Sequence, residues 1–191
     1  MNTLKTIRKR RSVRDFKSKK PDWRTIIEAI DSARYAPMAG GFLSLKFMLV
    51  DDKTMIDRIA NWSEQEFIKQ SPYLVVFISD PKITQNLYKG RGERYMRQQA
   101  GAAIENFLLH LTEVGLDSCW VGHYNDEKIK QILKIPEDKE IEAICPIGYS
   151  SKKEKPSKAK GNIDEKLYFN EWKNERMRPI EKIESRSPFG Y

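Results

Sequence analysis

The apolar positions fall into short blocks of two kinds. Tyr73-Leu74-Val75-Val76-Phe77-Ile78 is an unbroken apolar run behind Pro72, and predicts a strand buried on both faces. Phe47-Met48-Leu49-Val50, within residues 46–51, predicts a second strand, and residues 141–149 a third. Elsewhere the period lengthens to that of a helix. Ile26, Ile27, Ile30 and Ala33 recur at helical spacing, with Asp22 placed to cap the start and Pro37 to stop the end. Residues 53–69 read as two helical pieces. The longest stripe is Ala100, Ala103, Ile104, Phe107, Leu108 and Leu111, ended by Gly115. Ala102 and Leu109 widen it, so this helix is expected to be covered on more than one side. Residues 118–122 form a short extended piece. Asn125 or Asp126 can then cap a helix through Leu133, closed off by Pro136. A few strands interleaved with helices, and no internal repeat, predict an α+β or α/β layered fold. At 191 residues, one domain over 1–191 is the default.

Charge adds a location. Residues 1–24 hold ten Lys or Arg and two acids, so this segment alone carries +8, the formal net charge of the whole chain. A local excess argues for a site or docking surface, whereas a uniform one argues only for solubility. At 39% hydrophobic content a core is affordable, and no apolar run reaches membrane-spanning length. The first residues are charged and have no apolar h-region, and two cysteines, Cys119 and Cys145, make no disulfide framework. A cytoplasmic protein without a membrane partner is the simplest expectation.

The candidate chemistry lies in Arg10-Arg11-Ser12-Val13-Arg14-Asp15-Phe16. Guanidinium is a planar fork of donors that fits phosphate in a bidentate way, and the serine hydroxyl both donates and accepts. Val13 and Phe16 are apolar, which a free basic tail would not need. Two histidines, His110 and His123, without CxxC or HExxH, argue against a dedicated zinc site. Neither a Walker A loop nor GxGxxG is present, so an ATPase or a Rossmann dehydrogenase loses ground; Gly90-Arg91-Gly92 reads only as a loop signal. A basic nucleic-acid surface is an alternative, but the patch lacks interleaved aromatics for base stacking, and no nucleic acid is expected as partner. Cys119 reads as a buried, inert thiol. Residues 152–160 read as an exposed basic loop. The segment 162–191 carries Tyr168, Phe169, Trp172, Phe189 and Tyr191, a composition that predicts packing over disorder.

Several of these blocks, in this order, resemble the nitroreductase family of FMN flavoproteins. The arginine–serine segment is similar to that family's opening motif. The helix ending Ala33-Arg34-Tyr35-Ala36-Pro37, with the strand Lys46-Phe47-Met48-Leu49-Val50, looks like its second block. Ala102-Ala103-Ile104-Glu105-Asn106-Phe107-Leu108-Leu109, continuing through Gly115-Leu116-Asp117-Ser118-Cys119-Trp120-Val121-Gly122, resembles its long core helix and the loop that follows. Ile135-Pro136-Glu137, Pro146-Ile147-Gly148-Tyr149 and Arg178-Pro179-Ile180-Glu181 match later landmarks. The resemblance spans nearly the whole chain.

It implies an α+β fold with a central mixed, mostly antiparallel sheet flanked by helices, assembled as a homodimer with FMN at the interface. Carried over, Arg10, Arg11 and Ser12 would hold the phosphate and ribityl chain, and Arg14 would lie near the pyrimidine side of the flavin. A cation there favours the negative charge of the reduced ring. Trp120, Val121, Gly122 and His123 would face the flavin, with backbone N–H groups of Gly122 or His123 near N5. Pro37, Met38, Ala39, Gly40 and Gly41 would come from the other subunit, and Arg178 or Arg176 would return to the phosphate. The implied activity is ping-pong: NADH or NADPH gives a hydride to flavin N5, and a small organic acceptor such as a nitroaromatic or quinone then takes it. No side-chain acid or base is required. The family often has Ser, Asn and Gln where this chain has Met38, Gly41 and Leu43. That departure keeps a second reading open: a flavin-binding protein of the same fold that senses or handles flavin without general reductase activity.

Overall fold

A computed structural model of the chain describes residues 2–152 and 161–175. Contacts group the chain into two units, Met1–Pro156 and Ser157–Tyr191.

The first unit is organised by four strands, β1 Leu45–Val50, β2 Tyr73–Ser79, β3 Asp117–Ser118 and β4 Glu140–Gly148. They form one sheet in the order β1-β2-β4-β3, and every neighbouring pair is antiparallel. Ser12 adds an isolated parallel bridge to Ser118, outside the named strands. Among the described residues, six α-helices accompany it: α1 Thr3–Lys9, α2 Trp23–Ala33, α3 Lys53–Trp62, α4 Pro81–Tyr88, α5 Gly92–Glu113 and α6 Asp126–Leu133. This is the expected α+β class.

β2 shows why the sheet has helices on both sides. Successive side chains on a strand point to opposite faces, and all seven positions of β2 are buried. Tyr73, Val75 and Phe77 join Ile26 and Ala29 of α2 and Ile104 and Phe107 of α5 in one core. Leu74, Val76 and Ile78 join Ile56 and Ile59 of α3 and Ile129 and Leu133 of α6 in a second core. An apolar run without alternation has no solvent face, so it occupies an interior position in a three-layer stack.

Five helices start on the same device. Asn2, Asp22, Asp52, Asp80 and Asn125 each accept a backbone N–H from the first turn, at 3.0, 3.0, 2.7, 3.1 and 3.1 Å. Such caps contribute about 1 kcal/mol each. Asn125, not Asp126, is the cap of α6. α2 ends at Ala33, short of Pro37, and residues 53–69 do divide, into α3 and a 3-10 turn Glu66–Gln70.

The hydrophobic pattern did not point to α4. Its signal was the Asp80 cap with Pro81 in the first turn, a combination suited to helix starts. Gly92 also has a larger role than a loop residue. A Cβ there would fall 2.5 Å from the Thr84 carbonyl oxygen and 2.6 Å from Gln85 Cα, so α4 can fold back on α5 only over a glycine. In the second unit Tyr168 and Trp172 meet edge to face at 4.8 Å. Phe189 and Tyr191 lie outside the described residues, as does most of the basic loop of 152–160.

Candidate functional site

The site begins where a strand fails. Asp117 pairs with Gly148, Ser118 with Ile147, and Val121 with Ile144, all in one register. Val121 and Ile144 exchange both backbone bonds, each 3.0 Å. Hydrogen-bonded pairs alternate in an antiparallel ladder, so the next such pair is Cys119 with Pro146. Proline has no N–H, and the ladder lapses there. Trp120, beside the lapse, is 39% exposed. Val121 itself is buried, with its backbone committed to Ile144. The chain then leaves the sheet through exposed Gly122 and His123. It is tied down again where the His123 carbonyl accepts from Gln65 and the Asn125 N–H donates to the Trp62 carbonyl at 2.8 Å. Among the described residues, the N–H groups of Gly122 and His123 donate no backbone hydrogen bond.

The basic segment is stitched to this edge. The Val13 N–H donates to the Ser118 carbonyl and the Lys17 N–H to the Tyr149 carbonyl, both at 2.9 Å. Phe16 bridges Ser150 and donates its N–H to Gln70 Oε1 at 3.2 Å. Val13 and Phe16 are buried, as their apolar character requires. Hydrogen bonds from Ser151 and Lys152 hold the Asp15 carboxyl below the usual carboxylate range.

The three arginines part company. Arg10 Nε lies 3.0 Å from Glu105 Oε1 on α5, out of line for a hydrogen bond. Arg11 folds back and donates to the carbonyls of Arg8 and Arg10, at the C-terminal end of α1, where a cation complements the helix dipole. Arg14 is exposed, its guanidinium 5.8 Å from the Phe67 ring centroid. Cys119 lies among these groups. Burial pushes its thiol pKa up, against the opposing influence of Arg14, the Ser12 hydroxyl and Arg10. Burial also pushes the Cys145 thiol up. Both thiols are therefore expected to resist iodoacetamide at pH 8 in the folded protein and to react in denaturant; mass spectrometry reads the difference.

Residues 37–41 are held elsewhere. Ala39 donates its N–H to Gln99 Oε1 at 3.2 Å, and Gln99 Nε2 donates to Ser44 Oγ. Gly40 and Gly41 have φ of 63° and 75°, the left-handed region that favours glycine. Pro37, Met38 and Ala39 line a pocket of about 430 Å³ together with Tyr88, Tyr95 and Gln98. Gln99 was not singled out in the sequence, although it sits among the apolar stripe positions of α5. A buried amide there must find partners, and that is the signal that could have exposed it.

The described residues thus divide into two groups on α5. Arg10 reaches Glu105, while the 37–41 loop reaches Gln99. The two helix positions are roughly 9 Å apart along the axis and about a third of a turn around it. Arg176 and Arg178 lie outside the described residues. Among the described residues, no group of three or more His, Cys, Asp or Glu is placed to hold a metal ion, and no helix is long and apolar enough to cross a membrane.

Known proteins resemble this chain in sequence, and solved structures resemble it in fold. A protein of Archaeoglobus fulgidus, provisionally named NADH dehydrogenase/NAD(P)H nitroreductase, is 27% identical over 151 residues, covering 76% of this chain and 84% of its own. An iodotyrosine deiodinase of Thermotoga neapolitana is 24% identical over 168 residues, covering 74% and 85%. The solved structure of an FMN-dependent nitroreductase from Clostridium difficile superposes with a TM-score of 0.74 at 26% identity, covering 88% of this chain and 99% of its own. The Nitroreductase family profile matches residues 7–67 and 59–149, which takes in the basic segment, the 37–41 loop and the interrupted strand, and the chain belongs to that family.

Proposed function

We propose that the protein is an FMN-dependent oxidoreductase that moves a hydride from NADH or NADPH to a small organic acceptor, working as a homodimer. The observation that carries this reading is the stitch between Val13 and Ser118, which holds the segment of Arg10, Ser12 and Arg14 against the edge that leads into residues 120–123, where Trp120, Gly122 and His123 are exposed. The donor set fits a phosphate-bearing flavin. Arg14 is exposed and the buried Arg10 Nε lacks an aligned acceptor. The N–H groups of Gly122 and His123 point to no backbone partner among the described residues. Arg10 and Ser12 would hold the phosphate and ribityl end, Arg14 the pyrimidine side, and the turn the ring edge. Arg11, turned onto α1, would support the segment's path.

When bound, the flavin supplies two-electron hydride chemistry, and the protein supplies position, charge and access. Arg14 would supply a positive charge to the negative charge of the reduced ring. Val121 and Ile144 hold the turn rigid. The 37–41 loop, which packs on a different stretch of α5, would reach the site of the second subunit. The names of the Archaeoglobus and Clostridium relatives support nicotinamide as reductant and FMN as cofactor.

Purified protein is expected to show the visible absorption of oxidised flavin, alone or after adding FMN, and to bleach rapidly when mixed with NADH or NADPH. Protein that stays colourless with FMN would overturn the proposal. Met38 and Leu43, side chains that cannot make amide-type bonds, favour the second reading of a flavin handler. Slow or absent bleaching in a yellow protein would select it.

A further inference from the structure

Glu105 is a charged group beside the arginine segment to which the proposed flavin chemistry gives no part. It stands on α5 and brings Oε1 to 3.0 Å from Arg10 Nε. Its side chain is 41% exposed and that of Arg10 18%. Neither residue has another ion pair among the described residues. From Gln98 to Glu113, α5 carries no Lys or Arg that could serve Glu105 instead. The other acid of that stretch, Glu113, accepts from Thr6 Oγ1 at 2.6 Å. The neighbouring guanidinium groups are directed elsewhere, Arg11 to the carbonyls of Arg8 and Arg10 and Arg14 over the Phe67 ring. Arg10 is thus the cation that Glu105 acts on.

The two groups are in contact without being hydrogen-bonded. Arg10 Nε is buried and lacks an aligned acceptor. A strong arginine–carboxylate pair is bidentate, with two parallel N–H···O bonds. Here the carboxylate supplies charge at close range and leaves the donors of the fork to a second anion. A phosphate drawn to those donors meets the Glu105 carboxylate close behind them. Like charges at that range repel, and partial burial of Arg10 keeps solvent ions from screening them fully.

We infer that Glu105 is a positioning residue that sets flavin selectivity: by offsetting the charge of Arg10, it lowers the preference for a phosphorylated over an unphosphorylated flavin and eases release of the phosphate. The inference rests on the flavin site proposed above, with the FMN phosphate at Arg10. It adds a residue that works against tight binding, so the flavin is held exchangeably.

The test titrates the flavin-free full chain with FMN and with riboflavin, which has the same ring and ribityl chain and no phosphate. Parent protein is compared with Glu105→Gln, which keeps an acceptor oxygen and loses the charge, and with Glu105→Asp, which keeps the charge. At low salt Glu105→Gln is expected to bind FMN about three- to tenfold tighter and to raise the ratio of FMN to riboflavin affinity by the same factor. Glu105→Asp should not raise that ratio. In about 1 M sodium chloride, where the Debye length is about 3 Å, the gain should fall below about twofold. Loosened packing would move both flavins alike and would survive the salt. A ratio unchanged or lowered by Glu105→Gln overturns the inference and leaves flavin binding by the parent standing. If neither flavin binds the parent, the flavin reading falls, and thermal unfolding in inorganic phosphate decides the inference. Greater stabilisation of Glu105→Gln than of the parent then supports it, and equal stabilisation overturns it.

Discussion

Replacing Arg10 and Arg14 together with alanine is expected to weaken FMN binding by about two to four orders of magnitude. Each substitution removes a charge-assisted hydrogen bond worth on the order of 1.5–3 kcal/mol. The two arginines flank the same thiol, Cys119, so their effects are coupled, and the lower end is the safer bound. They are not equivalent. Arg10 approaches Glu105 at 3.0 Å, and its removal leaves that carboxylate without its cation, near the phosphate it would then repel. Arg10→Ala is therefore expected to cost more than Arg14→Ala. Glu105→Gln should restore part of the loss in the Arg10→Ala background. Fluorescence titration of flavin-free protein with FMN reads all of these. Unchanged affinity in the double variant would mean that the cluster serves another ligand.

Phe77→Ala is expected to destabilise the fold by about 3–5 kcal/mol. Phe77 is fully buried, with Phe47 and Phe107 edge-on at 5.5 and 5.1 Å. Truncation removes both ring contacts and leaves a cavity between β1, β2 and α5 that three layers of packed elements cannot collapse to fill. Domains of this kind have about 5–15 kcal/mol in total, so the variant would be marginal at 37 °C. Phe42, a residue of the same type that is 54% exposed, gives the contrast. Its alanine variant is expected within about 0.5 kcal/mol of the parent. Urea denaturation followed by circular dichroism tests the pair, and a Phe77→Ala loss below about 1 kcal/mol would contradict the packing described.

The largest pieces of the fold were legible because they rest on local rules. An uninterrupted apolar run such as 73–78 has no solvent face, and it proved to be an interior strand. The stripe from Ala100 to Leu111 has one period and one solution, a buried helix. Residues 117–121 hold one register across Pro146, whose missing N–H accounts for the break in the ladder. α4 was missed because a short helix packed on a glycine needs no long stripe.

The site was legible as a set of residue types and not as an arrangement. Arg10, Arg11 and Arg14 are alike in sequence and charge. Only the folded chain gives Arg10 to Glu105, Arg11 to the end of α1 and Arg14 to the solvent side of Phe67. Tyr88, Tyr95, Gln98 and Gln99 carried no motif at all, yet they shape the pocket at the 37–41 loop. Periodicity and capping act within a few residues, so the amino-acid order by itself determined where helices and strands lie and where the charge excess sits. Which arginine stays available, and which side chains face a common space, depended on contacts between residues far apart in the chain, such as Val13 with Ser118 and Ala39 with Gln99. Those pairings are set by how the layers pack, and the tertiary structure decided them.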